Sequence, residues 1–520
     1  MASLFFCYYY GIISIIAYRV SMAELSHIRS YRLLEMIPGV MVWSTFIIAT
    51  ITSFIRPMWV IYFIIVFSLL WLFRVGYFVL YILISWKRLR RSLATNWYNK
   101  LDECPNWKGI THIVFLPTYK EPLEVIEHTF ESLAASYYPK DQIVVVLAGE
   151  ERDKEQFTKY SQTIANRWEK TFKKIIVTIH PDNLPGEIKA KGANVHWAGG
   201  RVKEWVDTEG LNYDCVIVSY FDIDTCVHKQ YFAALTHAYI THPNPTRSSF
   251  QPVAVYNNNI WDAPALTRVS AFSTTFWLMT DLARPERLFT FSSHAMSFRA
   301  LVDVGFWQKD IVTDDSRIFL QCLLRYNGDY TVTPLYITVS MDTVSSESWL
   351  KTMLSLYKQQ RRWGWGIEHF PYMVWHFWHN NRIPFRRKMY YLWNLGEGMY
   401  SWATAPIMLF VFGRLPLWLI RNTQQSTVLA QNAPFVLQWL MLLSMAGMIV
   451  SAGLSTVLLP TRPASKNRIQ SLAMIAQWLL LPITLIVFGS IPATEAQTRL
   501  MLGTYLGFHV TEKTRQKITY

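Results

Sequence analysis

Apolar residues run almost without a break through 37–55 and 57–86, and again through about 400–420, 434–459 and 469–491. Each of these runs is long enough to cross about 30 Å of hydrocarbon as a helix. From Gly109 the apolar runs shrink to strand length, at 110–116, 143–147, 175–179 and 215–221, separated by charged stretches of helical period such as 122–135 and 154–173. That alternation predicts parallel strands joined by crossover helices, an α/β domain inserted between membrane flanks. After Ser345 the period turns helical again: 349–363 reads as an amphipathic helix and 365–379 as an aromatic-rich one, both suited to a membrane interface. Residues 3–18 are apolar but short and tyrosine-rich, so that a leader and a first crossing both fit. The expected organisation is therefore an N-terminal membrane region 1–100, a catalytic-type domain 101–345, interfacial helices 346–388, a C-terminal membrane region 389–503 and a tail 504–520.

Composition agrees with this division: the 520 residues are 51% hydrophobic and 15% aromatic, too apolar for an ordinary soluble enzyme. The net charge of +14 would by itself suit nucleic acid, but its distribution points elsewhere. Lys87-Arg88-Leu89-Arg90-Arg91 and Arg386-Arg387-Lys388 lie beside apolar runs, as positive residues do on the cytoplasmic face of a bilayer. The central domain is expected in the cytosol, the lipid bilayer is the expected surroundings, and no nucleic-acid motif is present. Arg74 interrupts the second run and is expected to face a protein neighbour or an aqueous cavity. The five cysteines show neither metal-site spacing nor a disulfide framework.

In open α/β sheets ligands bind beyond the carboxyl ends of the strands. Those loops read Pro117-Thr118-Tyr119-Lys120-Glu121, Ala148-Gly149-Glu150-Glu151 and Asp222-Ile223-Asp224. Asp222 and Asp224 end a strand with carboxylates one residue apart, which suits a hard cation neutralising a leaving diphosphate and equally suits an acidic turn. Asp314 and Asp315, after Thr313 and before a helix, fit helix capping and also fit a general base. Gln359, Arg362 and Trp363 share one helix face, joining an amide, a phosphate-binding guanidinium and a flat ring; a basic-aromatic face resting on lipid headgroups is the alternative. Lys189, Lys191 and Asn194 follow the loop Leu184-Pro185-Gly186 and suit either phosphate and ribose or a solvated turn.

Taken in order, these pieces resemble the family-two processive glycosyltransferases, the group of cellulose, chitin and hyaluronan synthases. The resemblance rests on Thr118-Tyr119-Lys120-Glu121 as a first nucleotide loop, Lys191-Gly192-Ala193-Asn194, the Asp222-Ile223-Asp224 metal motif, Thr313-Asp314-Asp315 as a Thr-Glu-Asp-like base motif, and Gln359 to Trp363 as Gln-x-x-Arg-Trp. Near the end, Phe508, Val510, Thr511 and Lys513 match a Phe-x-Val-Thr-x-Lys gating loop, and His294 falls within the acceptor-facing segment. The resemblance implies a GT-A-like, Rossmann-related catalytic domain in which Asp315, with Asp314, supplies the base. It further implies that Asp222 and Asp224 hold Mg²⁺ or Mn²⁺, and that Thr118, Tyr119, Glu121, Glu150, Lys191, Arg362 and the gating residues contact a nucleotide-sugar, a UDP-sugar being favoured. Gln359 and Trp363 would then mark the site of a growing glycan acceptor. The chain departs from the family pattern in Glu150-Glu151 where an Asp-Asp-Gly-like element is usual, in Lys120 for the usual Asn, and in Asp314 for the usual Glu.

The expected function is an inverting membrane synthase that polymerises a β-linked polysaccharide and passes it through the bilayer, with any export partner open. A transferase adding a single sugar to a lipid or short acceptor shares every donor residue, and a nucleotide-binding transporter or receptor is a more distant reading. Three crossings after the domain would put the gating residues on the outer side, against their expected cytosolic place. Pro482 and Pro492 make 469–503 the first candidate for a re-entrant or broken helix, and 400–420 is the second.

Overall fold

The computed structural model describes residues 25, 28–421, 428–464 and 466–507. The candidate crossing 3–18 and the gating-loop residues Phe508, Val510, Thr511 and Lys513 lie outside the described residues. Two apolar helices open the described chain, α1 (Arg29–Ile55) and α2 (Pro57–Leu93), broken apart at Arg56-Pro57. Their large apolar side chains stay open to the surroundings, Trp59, Phe63, Leu70 and Phe73 among them. Such faces need lipid. Arg74 does meet a protein neighbour, donating to Glu397 at 2.6 Å and to Ser401 at 3.1 Å.

An eight-stranded mixed sheet follows, in spatial order β3-β2-β1-β4-β7-β6-β8-β5. Its first half is β1 (Thr111–Pro117), β2 (Ile143–Glu150), β3 (Lys174–His180) and β4 (Val216–Tyr220), all parallel. The expected runs become these strands because β-branched residues such as those of Ile143-Val144-Val145-Val146 favour extended backbone and are buried on both faces. The crossovers are α3 (Leu123–Ala134), α4 (Lys154–Trp168) and α5 (Lys191–Thr208). The chain moves outward from β1 to β2 and β3 and returns to the other side of β1 as β4, so a switch point opens between β1 and β4.

The second half carries strands that the apolar pattern does not announce: β5 (Cys226–Val227), β6 (Ser248–Tyr256), β7 (His294–Ser297) and β8 (Thr331–Met341). Here β7 runs antiparallel to both β4 and β6, and β6 and β8 are parallel with a register shift at Pro252/Val253. The helices of this half include α6 (Tyr231–Thr241), α7 (Ala265–Leu282), α8 (Phe298–Val304) and α9 (Asp314–Arg325).

The amphipathic helix α10 (Trp349–Gly364) and the aromatic α11 (His369–His379) then lead to α12 (Phe385–Ile407), α13 (Val428–Leu458), α14 (Arg468–Ala476) and α15 (Ile491–Leu502). Among the described residues five apolar helices or helix runs are long enough to cross a membrane: Arg29–Ile55, Pro57–Leu93, Phe385–Ile420, Gln431–Leu458 and Ile469–Leu502. Both suspected segments are irregular. A π-helical turn at Met408–Phe412 interrupts the first, and a 3₁₀ turn at Gln477–Leu480 and a π-helical turn at Ile486–Ser490 interrupt the second. The end of α15 is held in protein: Arg32 donates to the carbonyls of Leu500, at 2.6 Å, and Met501, where a cation complements the helix C-terminus. Gly364 allows α10 to lie on α15, since a Cβ there would come within 3.0 Å of Ala493 Cα.

Candidate active site

At the switch point the first strand is followed by Thr118, whose hydroxyl donates to Glu121 at 2.8 Å while the Tyr119 amide donates to the same carboxylate. Lys120 adopts a left-handed backbone with φ of 64° and its amide donates to Asp153 at 2.9 Å. At the end of β2 the buried Glu150 accepts from Arg152 Nε at 2.8 Å, and the Arg152 guanidinium lies over the Tyr119 ring, 4.3 Å from its centre. Burial pushes the Glu150 carboxyl up, and Arg152 opposes the shift. The loop after β1 and the acidic loop after β2 thus meet through a stacked arginine.

Lys191 opens α5, whose N-cap residue Ala190 offers no capping side chain. Its ammonium donates to Asp222 Oδ1 at 2.9 Å and to both Asp315 oxygens, at 2.9 and 2.7 Å. Gly192 permits this closeness: a Cβ there would stand 2.9 Å from Gln308 O and 3.1 Å from Asp314 Cβ. Burial alone would push the ammonium down, but Asp222, Asp315 and Asp314 together hold it above its ordinary value. Asp222 is also held by the Ser292 hydroxyl at 2.6 Å, and the Asp315 carbonyl accepts from Thr290 at 2.6 Å. Asp314 is buried and accepts from the Tyr220 hydroxyl; burial raises its pKa, opposed by Lys191.

The second carboxylate of the Asp-x-Asp pair is turned toward the other half of the sheet. Asp224 is fully buried and its Oδ2 accepts from the Asp342 amide at 2.7 Å. Asn258 joins the same corner by donating to Asp342 Oδ1 and to the Asp224 carbonyl, both at 3.0 Å. Beyond it lies a small pocket lined by Tyr256, Asp342, Thr343, Gln359 and Trp363, with the Tyr256 and Trp363 rings 6.2 Å apart. Arg362 is half-buried on the same turn of α10. His294, at the start of β7, is buried with its Nδ1 on the Phe291 carbonyl at 2.8 Å and its ring 5.8 Å from that of Tyr220. Burial pushes its pKa down.

Of the residues named from sequence, Lys191, Asp222 and Asp315 therefore meet directly, Asp314 joins them through Tyr220, and Thr118, Tyr119, Glu121 and Glu150 form a neighbouring group. Gln359 and Trp363 face a separate pocket, on the Asp224 side. Sequence reasoning passed over Arg152, Tyr220, Tyr256 and Asp342, and named Ser292 only as part of the acceptor-facing segment, not as a partner of Asp222. Tyr220 and Arg152 each sit two residues from a named acid, and that spacing was the available signal; Ser292 and Asp342 are brought in only by the second half of the sheet.

Among the described residues no group of three His, Cys, Asp or Glu side chains forms a ready-made metal cage. No family model matches the chain, and no curated protein sequence matches it. Among solved structures the chain is similar to the mannosyltransferase PcManGT from Pyrobaculum calidifontis in complex with GDP-Man and Mn²⁺, at 14% identity and a TM-score of 0.43, with 85% of this chain and 98% of that chain covered. It is also similar to S. aureus TarS 1-349, at 10% identity and a TM-score of 0.36, with 79% and 98% covered. The complex of that protein with UDP-GlcNAc gives 11% identity, a TM-score of 0.36 and 79% and 98% covered.

Proposed function

We propose that the chain is a multi-pass membrane glycosyltransferase that takes a nucleotide-sugar, a UDP-sugar being favoured, and adds the sugar with inversion to a growing β-linked glycan. The observation that carries this reading is the shared ammonium of Lys191, which joins Asp222 to Asp315 at the switch point of an α/β sheet. A diphosphate entering there meets Lys191 and the uncapped start of α5, both favourable to negative charge. As Lys191 turns to the diphosphate, it leaves Asp315. The Asp315 carboxylate then takes the proton of the acceptor hydroxyl, the acceptor oxygen bonds to the anomeric carbon, and the bond from that carbon to the diphosphate breaks. The nucleoside diphosphate leaves, and attack from the opposite face inverts the centre.

Asp222 is the oxygen donor placed to meet a hard divalent cation completed by substrate oxygens rather than a closed protein cage, with Asp224 behind it on the Asp342 amide. Asp222 is partly open to the cleft, and Asp224 gives one oxygen to a backbone amide. Mg²⁺ or Mn²⁺ held there would neutralise charge on the leaving diphosphate. Repeated addition is favoured by the placement of Trp363 on α10, whose indole offers a flat apolar face to a sugar ring and whose helix lies directly on the membrane helix α15. A cytosolic site is favoured because the basic clusters Lys87–Arg91 and Arg386–Lys388 lie at the ends of α2 and α12 next to the domain.

The test is nucleotide release by detergent-purified protein from a panel of UDP- and GDP-sugars with Mg²⁺ or Mn²⁺. Release from one donor, with a long product, is expected; silence with every donor from folded protein would remove the transferase reading.

A further inference from the structure

Thr313 stands at the N-cap of α9, where a threonine hydroxyl ordinarily accepts from the first turn of the helix. It makes no such bond. Its hydroxyl instead donates to Glu368, a buried carboxylate on the 3₁₀ turn Trp365–Glu368 that joins α10 to α11. The other Glu368 oxygen accepts from the Trp365 indole at 2.8 Å. The next residue grips the far side of the acidic pair. His369 Nδ1 accepts from Arg317 Nε at 3.2 Å, so the ring carries its proton on Nε2, which donates to Ser316 Oγ at 2.7 Å. Glu368 and His369 thus hold the residues immediately before and immediately after Asp314-Asp315.

A buried carboxylate is costly without compensation, and this one has it: burial raises the Glu368 pKa, while Arg317, fully buried and 3.7 Å from the centre of the Tyr372 ring, opposes the rise. The Trp365 ring also meets that of Tyr505, 6.1 Å away and edge-on, and Tyr505 donates to Glu35 on α1 at 2.7 Å. The turn bearing Glu368 begins two residues after Trp363. One short segment therefore ties the base loop to the helix that carries Gln359 and Trp363.

We infer that Glu368 and His369 are positioning residues that fix the Asp314-Asp315 loop against the acceptor-bearing helix. This rests on the transferase reading above. The clamp sets the place of the base relative to the acceptor hydroxyl and leaves the donor loops, on the other side of Lys191, untouched.

The experiment uses full-length protein in detergent and the donor that supports release by wild type. Glu368→Gln and Thr313→Val are each expected to lower kcat on the order of ten- to a hundredfold while the donor KM stays within about twofold. Thr313→Ser, which keeps the hydroxyl, is expected to recover most of the rate. The double variant is expected to be no slower than the slower single one, because both remove the same contact. Hydrogen exchange of the peptide covering 313–320 is read in parallel and is expected to rise in both single variants. Unchanged exchange would overturn the clamp whether or not any donor is turned over. With an active wild type, a normal kcat in Thr313→Val, a loss that Thr313→Ser fails to recover, or multiplicative losses in the double variant would each do the same. Silence of wild type with every donor, alongside raised exchange in the variants, would sink the transferase reading while leaving the tie between the segments standing.

Discussion

The two halves of the sheet are built on different physics. In β3-β2-β1-β4 the strands are parallel, apolar on both faces and joined by helices, and they deliver their loops to one crevice. In β7-β6-β8-β5 antiparallel pairs enter, and the buried residues include Ser248, Ser249 and Gln251, each bound to a partner: Thr333 at 2.8 Å, Tyr330 at 2.8 Å and the Phe291 amide at 2.8 Å. The first half supplies the charges at Lys191 and Asp222, and the second supplies the walls at Tyr256 and Asp342. Asp222 and Asp224 divide between them, one turned to Lys191 and the other to the Asp342 amide. The three residues Asp222 to Asp224 thus link the two halves, and on the proposed reading substitutions on the donor and acceptor sides should fail in different ways.

The largest effect is expected where the halves meet. Asp315→Asn should lower sugar transfer by about 10²–10⁴-fold, read as nucleotide release at saturating donor, with little change in donor affinity. Transfer near the wild-type rate would move the base elsewhere. On the donor side, Lys191→Met leaves Asp222 and Asp315 without their shared cation. It should lower kcat/KM for the donor on the order of a hundredfold, chiefly through KM. If KM holds and only kcat falls, Lys191 belongs with the base rather than with the diphosphate, and the division between the halves weakens.

On the acceptor side, Trp363→Ala should lower transfer roughly tenfold, about 1.4 kcal/mol, and shorten the product while leaving the donor KM alone. Product of normal length would detach the Tyr256–Trp363 pocket from the acceptor. The same division decided what the sequence could reveal. The runs at 110–116, 143–147 and 215–221 became strands because burial on both faces leaves a continuous apolar signature, while 175–179, at the sheet edge with Val177 exposed, is carried by its β-branched residues. β6 reads Ser-Ser-Phe-Gln-Pro before its apolar end and takes a register shift after Pro252, so it carries neither alternation nor an unbroken run. β7 and β5 have four and two residues, too few for any period. The acids were legible because they end strands or open a helix. Their partners Tyr256 and Asp342 were not, since only the β6–β8 pairing brings them near, and Ser292 was named for its segment without its link to Asp222. Glu368 and His369 stayed hidden for a related reason: a carboxylate and an imidazole beside an aromatic helix read as interfacial residues until the fold buries them against α9.

A last comparison of the two regions runs through stability rather than turnover. His112 in β1 and His376 in α11 are each pushed down to about 3, His112 by burial and His376 by burial with Arg317 adding to it. Each is held neutral in the fold: His112 shares a hydrogen with Thr236 at 2.7 Å, and His376 Nε2 is buried without a hydrogen-bond partner. A histidine whose folded pKa lies below its ordinary 6.5 costs nothing above that pH, where both states are neutral. As pH falls below it, the unfolded chain takes up a proton that the folded chain refuses, so stability drops until the folded pKa is reached. Between pH 7 and 5 each such site should remove about 2 kcal/mol of stability. The apparent unfolding midpoint of the full-length protein should therefore fall over that interval, and His112→Gln and His376→Gln should each flatten part of the fall. Equal flattening would mean that the sheet and the interfacial helices unfold as one cooperative unit. Flattening by His112→Gln alone would mean that α11 opens before the sheet does, so that the segment next to the Trp363 helix loosens while the parallel half of the sheet stays folded.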